Sequence, residues 1–269
     1  MQTVIVATNF SKASHNAMRF VAEALKGKEF RVVLFNFFSV SVHTLNARLS
    51  VDEIDRIAKI RVDQLTSVAN SLMKDYGIEV ITYSASGLFL EELNNCKVRY
   101  GAEMIVTGMA DKSMIQDIMG NTTSLLINRL KCPILSIPIH AKYNGIKTIL
   151  FACDILRGVH QQVLQNVRKF ALSFDAQVEI FHVRKSAEEI LVPYMMEGIK
   201  QNFLDLNHTY KDVYADVIVK AIEQEIEKLN ADILIMVPYR YGFWNSVIHR
   251  SKTKEMASSS KIPLLSISL

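Results

Sequence analysis

Two short stretches have residue types and spacing that could bind an anion: Gly108-Met109-Ala110-Asp111, and Gly120-Asn121-Thr122-Thr123 at the far end of the same loop. A glycine at a strand end, then a loop closing with Gly and small hydroxyl residues at a helix start, meets the requirements of phosphate binding. Glycine lets the backbone approach the anion, and a helix start offers free N–H groups and a favourable dipole. In open parallel sheets, ligands bind beyond the carboxyl ends of the strands, near the switch in strand order. The sequence therefore also singles out Thr8-Asn9-Phe10-Ser11 after the first apolar run, and Asn36 with Phe37 at the end of the second.

Other reactive types carry less. No Gly-Lys-Ser/Thr triplet marks a Walker loop, and no G-x-S-x-G elbow is present. His15, His43, His140, His160 and His208 show no metal-ligand spacing with Cys or carboxylates, so no zinc site is expected. His182 ends a strand where Asn36 stands in the first half, and both a cleft-lining and a structural role are open to it. Met109, Met114 and Met119 read as adaptable apolar filling, and Glu91-Glu92 and Glu188-Glu189 as first-turn helix charges.

The elements that must position these residues alternate strand and helix. Thr3–Ala7 is a β-branched apolar run suited to a strand buried on both faces. Ser11 stands at an N-cap position ahead of Ala13, Ala17, Phe20, Val21, Ala24 and Leu25 at helical spacing. Further strands are expected over 30–38, 78–83, 103–107 and 133–137, with helices over 51–76, 88–100 and 122–130. Gly77 follows the long helix where a C-cap glycine belongs. Later, strands are expected over 147–152, 177–183, 206–210 and 232–237, a helix over 159–172, and another from Val217 to Leu229. The segment from Ser186 to Phe203 reads as less regular. Such alternation implies a mostly parallel sheet.

The chain also repeats itself. Ala102-Glu103-Met104-Ile105-Val106 recurs as Ala231-Asp232-Ile233-Leu234-Ile235, offset by 129 residues (231 minus 102). Lys131-Cys132-Pro133-Ile134-Leu135-Ser136-Ile137 recurs as Lys261-Ile262-Pro263-Leu264-Leu265-Ser266-Ile267, offset by 130 (261 minus 131). Val4 to Asn9 is answered by Ile149 to Asp154. Two copies of one α/β domain, 1–141 and 145–269, fit this pattern, with Asn144-Gly145 as the junction.

Composition limits the remaining classes. At 269 residues and 49% hydrophobic, the chain can bury two ordinary cores. A formal charge of +4 from scattered Lys and Arg argues for a solvated surface and against nucleic acid as a partner. Cys96, Cys132 and Cys153 form no C-x-x-C pair and read as buried free thiols in a reducing compartment. No apolar run reaches the roughly 20 residues that span a bilayer, so the expectation is a cytoplasmic protein without a membrane partner.

At the glycine loop, the strand-one turn and the Cys132-Pro133-Ile134-Leu135 closing strand, the chain resembles the universal stress protein family, and its repeat resembles the tandem two-domain members. The resemblance implies two tandem open parallel five-stranded sheets flanked by helices, in that family's Rossmann-like, adenine-nucleotide-binding fold. The nucleotide-binding branch carries G-x-x-G-x9-G-[S/T] after strand four and an acidic residue after strand one. Gly108 and Gly120 match its first and third glycines, whereas Asp111 replaces the second and the spacing is one residue short. Asn121 replaces the small hydroxyl, with Thr122 and Thr123 following, and Asn9 replaces the acidic residue. An aspartate beside polyphosphate would repel it unless it faces outward or holds a metal. In the second half Val237-Pro238-Tyr239-Arg240-Tyr241-Gly242-Phe243-Trp244 and Arg250-Ser251-Lys252-Thr253 stand in place of the glycine loop, while Asp154 keeps the acidic position.

The resemblance thus implies a non-enzymatic stress-response protein with at most one ATP site, magnesium included, in the first domain. Thr8 and Asn9 would lie near the adenosine, and Asn36 or Phe37 would flank the base. Gly108 and Gly120 would shape the loop, Asp111 would lie within it, and Asn121, Thr122 and Thr123 would donate to phosphate. The alternatives are a ligand-free dimerisation or regulatory scaffold with both clefts closed, and a slow ATP hydrolase using Asp111 or Asp117. The two closing strands are expected to pair within one chain as a pseudo-dimer, and pairing of two chains as a homodimer stays open. A single undivided sheet would contradict the duplication.

Overall fold

The computed structural model describes residues 2–38, 51–110, 125–127, 129–184, 193–237 and 262–268. Strands β1 (Gln2–Thr8), β2 (Phe30–Phe37), β3 (Glu79–Ala85), β4 (Met104–Met109) and β5 (Ile134–Pro138) come from the first half. Strands β6 (Thr148–Ala152), β7 (Gln177–Arg184), β8 (His208–Tyr214), β9 (Ile233–Met236) and β10 (Leu264–Ser266) come from the second. The helices are α1 (Lys12–Leu25), α2 (Val51–Tyr76), α3 (Phe89–Tyr100), α4 (Gln161–Phe174), α5 (Pro193–Asn202) and α6 (Ile218–Leu229). Residues 125–127 and 129 are also helical.

Local sequence accounts for most boundaries. The Ser11 hydroxyl accepts from the Ser14 N–H at 3.3 Å and caps α1. Gly77 sits at φ +68 and returns its N–H to the Met73 carbonyl, ending α2 in a conformation that favours glycine. Two boundaries differ from expectation. The segment taken as irregular contains α5, and the strand expected from Leu206 begins at His208 and runs on to Tyr214. Leu206 is instead buried in the turn after α5, its N–H bonded to the Phe203 carbonyl at 3.0 Å. Strand β8 lies at the sheet edge, where a polar His-Thr-Tyr-Lys-Asp sequence is tolerated and weakens the strand signal.

The strand order is β3-β2-β1-β4-β5-β10-β9-β6-β7-β8. The second half thus repeats the order of the first, reflected about the centre. The two five-stranded arrays are continuous, because Leu264, Leu265 and Ser266 pair antiparallel with Ser136, Leu135 and Ile134. Every other neighbouring pair is parallel. The sheet is single in its hydrogen bonding, yet one antiparallel seam divides it where the closing strands were expected to meet.

The two faces treat that seam differently. On one face a continuous apolar cluster runs from Val6 and Phe20 through Leu135 and Leu265 to Phe151 and Phe170, under α1, α2, α4 and α5. On the other face the core is split. Ile5, Phe35, Leu93, Ile105 and Leu126 form one cluster, and Leu150, Phe181, Ile218, Ile222 and Leu234 another. The halves therefore share apolar burial on one face only, and non-directional burial of this kind is the main force holding them together.

Candidate functional site

At the carboxyl ends of the first three strands, Thr8, Asn36 and Ser84 occupy one rung, because Thr8 pairs with Asn36 and Asn36 with Ser84. Strand alternation puts all three on the α1 face, above Val6, Leu34 and Val80. Asn36 is 3% exposed and donates from Nδ2 to the Thr8 carbonyl at 2.8 Å. Its Oδ1 and the Ser84 hydroxyl are buried and have no partner among the described residues. Unpaired buried polar atoms cost free energy, so each such atom at a strand end is a candidate contact for a ligand.

Thr8 is buried, and its hydroxyl is used locally. It accepts from the Phe10 N–H at 3.1 Å and donates to Ser14 Oγ at 3.1 Å, and Ser14 Oγ in turn bonds the Ser11 carbonyl at 3.0 Å. Asn9 is exposed, and its Oδ1 accepts from the Ser11 N–H at 3.1 Å, closing an Asx turn. Phe10 adopts φ +62 in that turn, and the Arg61 guanidinium of α2 lies 5.6 Å over its ring. Phe37 takes the opposite face and packs edge-on against Phe89 with centroids 5.3 Å apart. The structure thus brings Thr8, Asn36 and Gly108 to the α1 face, exposes Asn9, and turns Phe37 away.

Gly108 has a packing reason to be glycine. A Cβ there would lie 2.3 Å from the Ala13 carbonyl oxygen and 2.7 Å from the Ser14 nitrogen, so the end of β4 touches the first turn of α1 backbone to backbone. Beside it, on the opposite face, Thr107 and Ser136 are paired in register, and both hydroxyls are buried without partners. Ser14, Ser84, Thr107 and Ser136 were not singled out from sequence. Their signal is a small polar residue in an otherwise apolar strand or first turn, which is too common to select them. Asp111, Asp117, Gly120, Asn121, Thr122 and Thr123 lie outside the described residues, as do 238–261 of the second loop.

The matching rung of the second half holds Cys153, His182 and Asp212, since Ala152 pairs with Phe181 and His182 with Asp212. His182 Nδ1 lies 3.1 Å from the Cys153 carbonyl, the bond that Asn36 makes to Thr8, and 3.3 Å from the Ile155 N–H. A Cys, a His and an Asp on one rung could suggest a nucleophile with its base. Here only Nδ1 of the His faces backbone groups, Nε2 being buried without a partner among the described residues. Burial pushes the Cys153 thiol far above the ordinary thiol range, so no thiolate forms near neutral pH. A space of about 20 Å³, room for about one water, lies beside Cys153, Asp154 and His182 and is lined also by Ala152, Phe181, Ile218 and Ile222 of the α6-face core. Val237, at the position of Gly108, is fully buried. Among the described residues, no group of three or more His, Cys, Asp or Glu is placed to hold a metal.

Fold and strand-end rungs together define an α/β protein with a candidate ligand cleft at the carboxyl edge of a parallel array. The profile of the Universal stress protein family matches residues 1–138, which is half of the chain. The chain belongs to the universal stress protein family. No curated protein matches it. Among solved structures, a universal stress protein from Archaeoglobus fulgidus DSM 4304 is similar at 16% identity and a TM-score of 0.76, covering 99% of this chain and 98% of that one. A universal stress protein from Pseudomonas aeruginosa UCBPP-PA14 is similar at 11% identity and a TM-score of 0.62, covering 100% of this chain and 93% of that one. A functionally unknown protein from Pseudomonas aeruginosa PAO1 follows at 11% identity and 0.61, covering 100% and 92%. At such identities the likeness shows the fold. No described helix is long and apolar enough to cross a membrane.

Proposed function

We propose that the chain is a tandem universal stress protein of two domains, 1–141 and 145–269, and that it binds one adenine nucleotide, in the first domain, without catalysing a reaction. The observation that carries this reading is the Thr8–Asn36–Ser84 rung, where Asn36 Oδ1 and Ser84 Oγ are buried and unpartnered at the carboxyl edge of the sheet. An acceptor and a hydroxyl held there suit the exocyclic amino group and ring nitrogens of a base. Each unmade hydrogen bond is a cost that a ligand can remove. Gly108 brings the end of β4 against the first turn of α1. Gly120, Asn121, Thr122 and Thr123 would then supply amide and hydroxyl donors to the phosphates, with magnesium offsetting the charge of Asp111.

The second domain is a scaffold in this reading. His182 occupies the position of Asn36, and Val237 that of Gly108. The antiparallel seam between β5 and β10 favours a structural role for that half, since it completes the sheet of the first. Thermal unfolding with ATP and magnesium tests the proposal. A saturable rise in Tm of about 3 °C is expected, lost in Gly120→Leu and kept in Ser251→Ala. No shift at millimolar ATP would leave the ligand-free scaffold, and phosphate release above blank, abolished by Asp111→Ala, would establish the hydrolase instead.

A further inference from the structure

Between the C-terminal halves of α1 and α4 and the shared face of the sheet lies a cavity of about 180 Å³, on the seam and lined by both halves. Phe20 and Ala24 of α1, Phe170 and Phe174 of α4, and Leu135 and Leu265 on either side of the seam form its walls. Interiors are normally packed with few voids larger than a water molecule, and wall atoms facing an empty space lose their dispersion contacts.

Of the polar residues at its edge, Glu103, Lys169 and Ser173 are matched to one another. Lys169 pairs with Glu103 at 2.5 Å, and the Ser173 hydroxyl donates to the Lys169 carbonyl at 2.8 Å. Lys28 donates to the Ser173 carbonyl at 2.5 Å and lies 3.8 Å over the Phe174 ring. Three of these contacts cross from one half to the other. A bound water needs two to four polar partners, which walls of Phe, Leu and Ala do not supply, whereas apolar cavities near 150 Å³ stay dry and take benzene.

The geometry points to a second binding site, independent of the nucleotide reading: the seam cavity takes a small neutral ring molecule the size of toluene or indole. The aromatic walls provide edge and face contacts for such a ring. The Lys169–Glu103 charges at the rim are paired, and the apolar walls disfavour carboxylates, which would lose hydration on entering. A ligand seated there touches both halves at once, so its binding strengthens their association.

The test uses the full chain with toluene as probe. Toluene at millimolar concentration is expected to raise Tm by about 3 °C, and benzoate at the same concentration to leave it unchanged. Ala24→Phe projects a ring into the cavity, and its Tm is expected to be insensitive to toluene. Methyl resonances of Leu265 and Ile146, which both line the cavity, are expected to shift together as toluene is titrated into the unmodified protein. Those shifts decide the matter even if Ala24→Phe does not fold. Stationary methyl resonances, or an undiminished response in folded Ala24→Phe, would overturn the site. A benzoate shift equal to that of toluene would overturn the neutral class of ligand.

Discussion

The two halves place the same backbone at the carboxyl edge of the sheet and put different chemistry on it. In the first half the rung Thr8–Asn36–Ser84 leaves an amide oxygen and a hydroxyl buried without partners. In the second, Cys153–His182–Asp212 leaves His182 Nε2 and Asp212 Oδ1 buried without partners among the described residues. Both keep the bond from the second strand's polar side chain to the first strand's last carbonyl, from Asn36 to Thr8 and between His182 and Cys153. That shared bond is therefore architectural, and what distinguishes the halves is whatever the side chain has left over. Asn36 leaves an amide oxygen unpartnered and His182 a ring nitrogen, Nε2, among the described residues. A duplicated fold can thus keep its geometry and change the hydrogen-bonding chemistry at its edge.

The sharpest way to break this comparison is at Gly108. Gly108→Ala is expected to cost about 3 kcal/mol in urea unfolding, because the new methyl meets the backbone of Ala13 and Ser14. A cost below 0.5 kcal/mol would show that β4 and α1 separate easily, and would return Gly108 to a role in ligand approach alone.

The next contrast is the thiol that replaces Thr8. Burial raises Cys153, so the folded chain holds that proton where the unfolded chain releases it. The stability this contributes is complete below the ordinary thiol value of 9.0 and is lost as pH rises beyond it. Above pH 9 the parent protein is expected to lose about 1.4 kcal/mol per pH unit more than Cys153→Ala, and equal slopes would refute the burial argument. Cys96 and Cys132, raised by burial to about 12 and about 11, behave alike, and none of the three thiols is expected to react with iodoacetamide at pH 8 in the folded state.

A smaller effect sharpens the shared bond. His182→Asn recreates the side chain of the first half and is expected to change stability by less than about 1 kcal/mol, since an amide can still donate to the Cys153 carbonyl. A loss above 3 kcal/mol would mean that the ring volume, not the bond, holds the second cleft. The smallest change is expected from Lys169→Met. Its pair with Glu103 is nearly half exposed on both sides and contributes about 0.5 kcal/mol at most, falling with salt, as denaturation at low and high ionic strength would check.

Much of the fold was legible because local signals agreed with the tertiary outcome. Ser11 caps α1, α2 covers Val51–Tyr76 as its periodicity implied, and Gly77 ends it in the left-handed region. The repeated Pro-Ile-Leu-Ser and Pro-Leu-Leu-Ser segments identified the strands that meet, and they pair residue for residue across the seam. The site was less legible. Thr8 and Asn9 were read as ligand contacts, yet their side chains are used in the turn itself, through bonds to Ser14, Phe10 and Ser11. Phe37 was placed beside Asn36 by adjacency, but successive strand residues face opposite ways, and its ring joins Phe89. Ser84 was missed because only the parallel register of β2 and β3 carries it to Asn36.

By itself the sequence determined two copies of a strand–helix alternation, the caps that bound their helices, and the apolar strands that must be buried. These follow from dihedral preference and hydrophobic periodicity, which act over a few residues. Only the tertiary structure decided that the copies share one sheet through an antiparallel seam, and that Gly108 is held by the backbone of α1. It alone set which polar atoms at each sheet edge stay unpaired, and it left a cavity between α1 and α4. The reason is physical: register, volume and hydrogen-bond satisfaction are properties of segments brought together from distant parts of the chain, and no local pattern encodes the space between them.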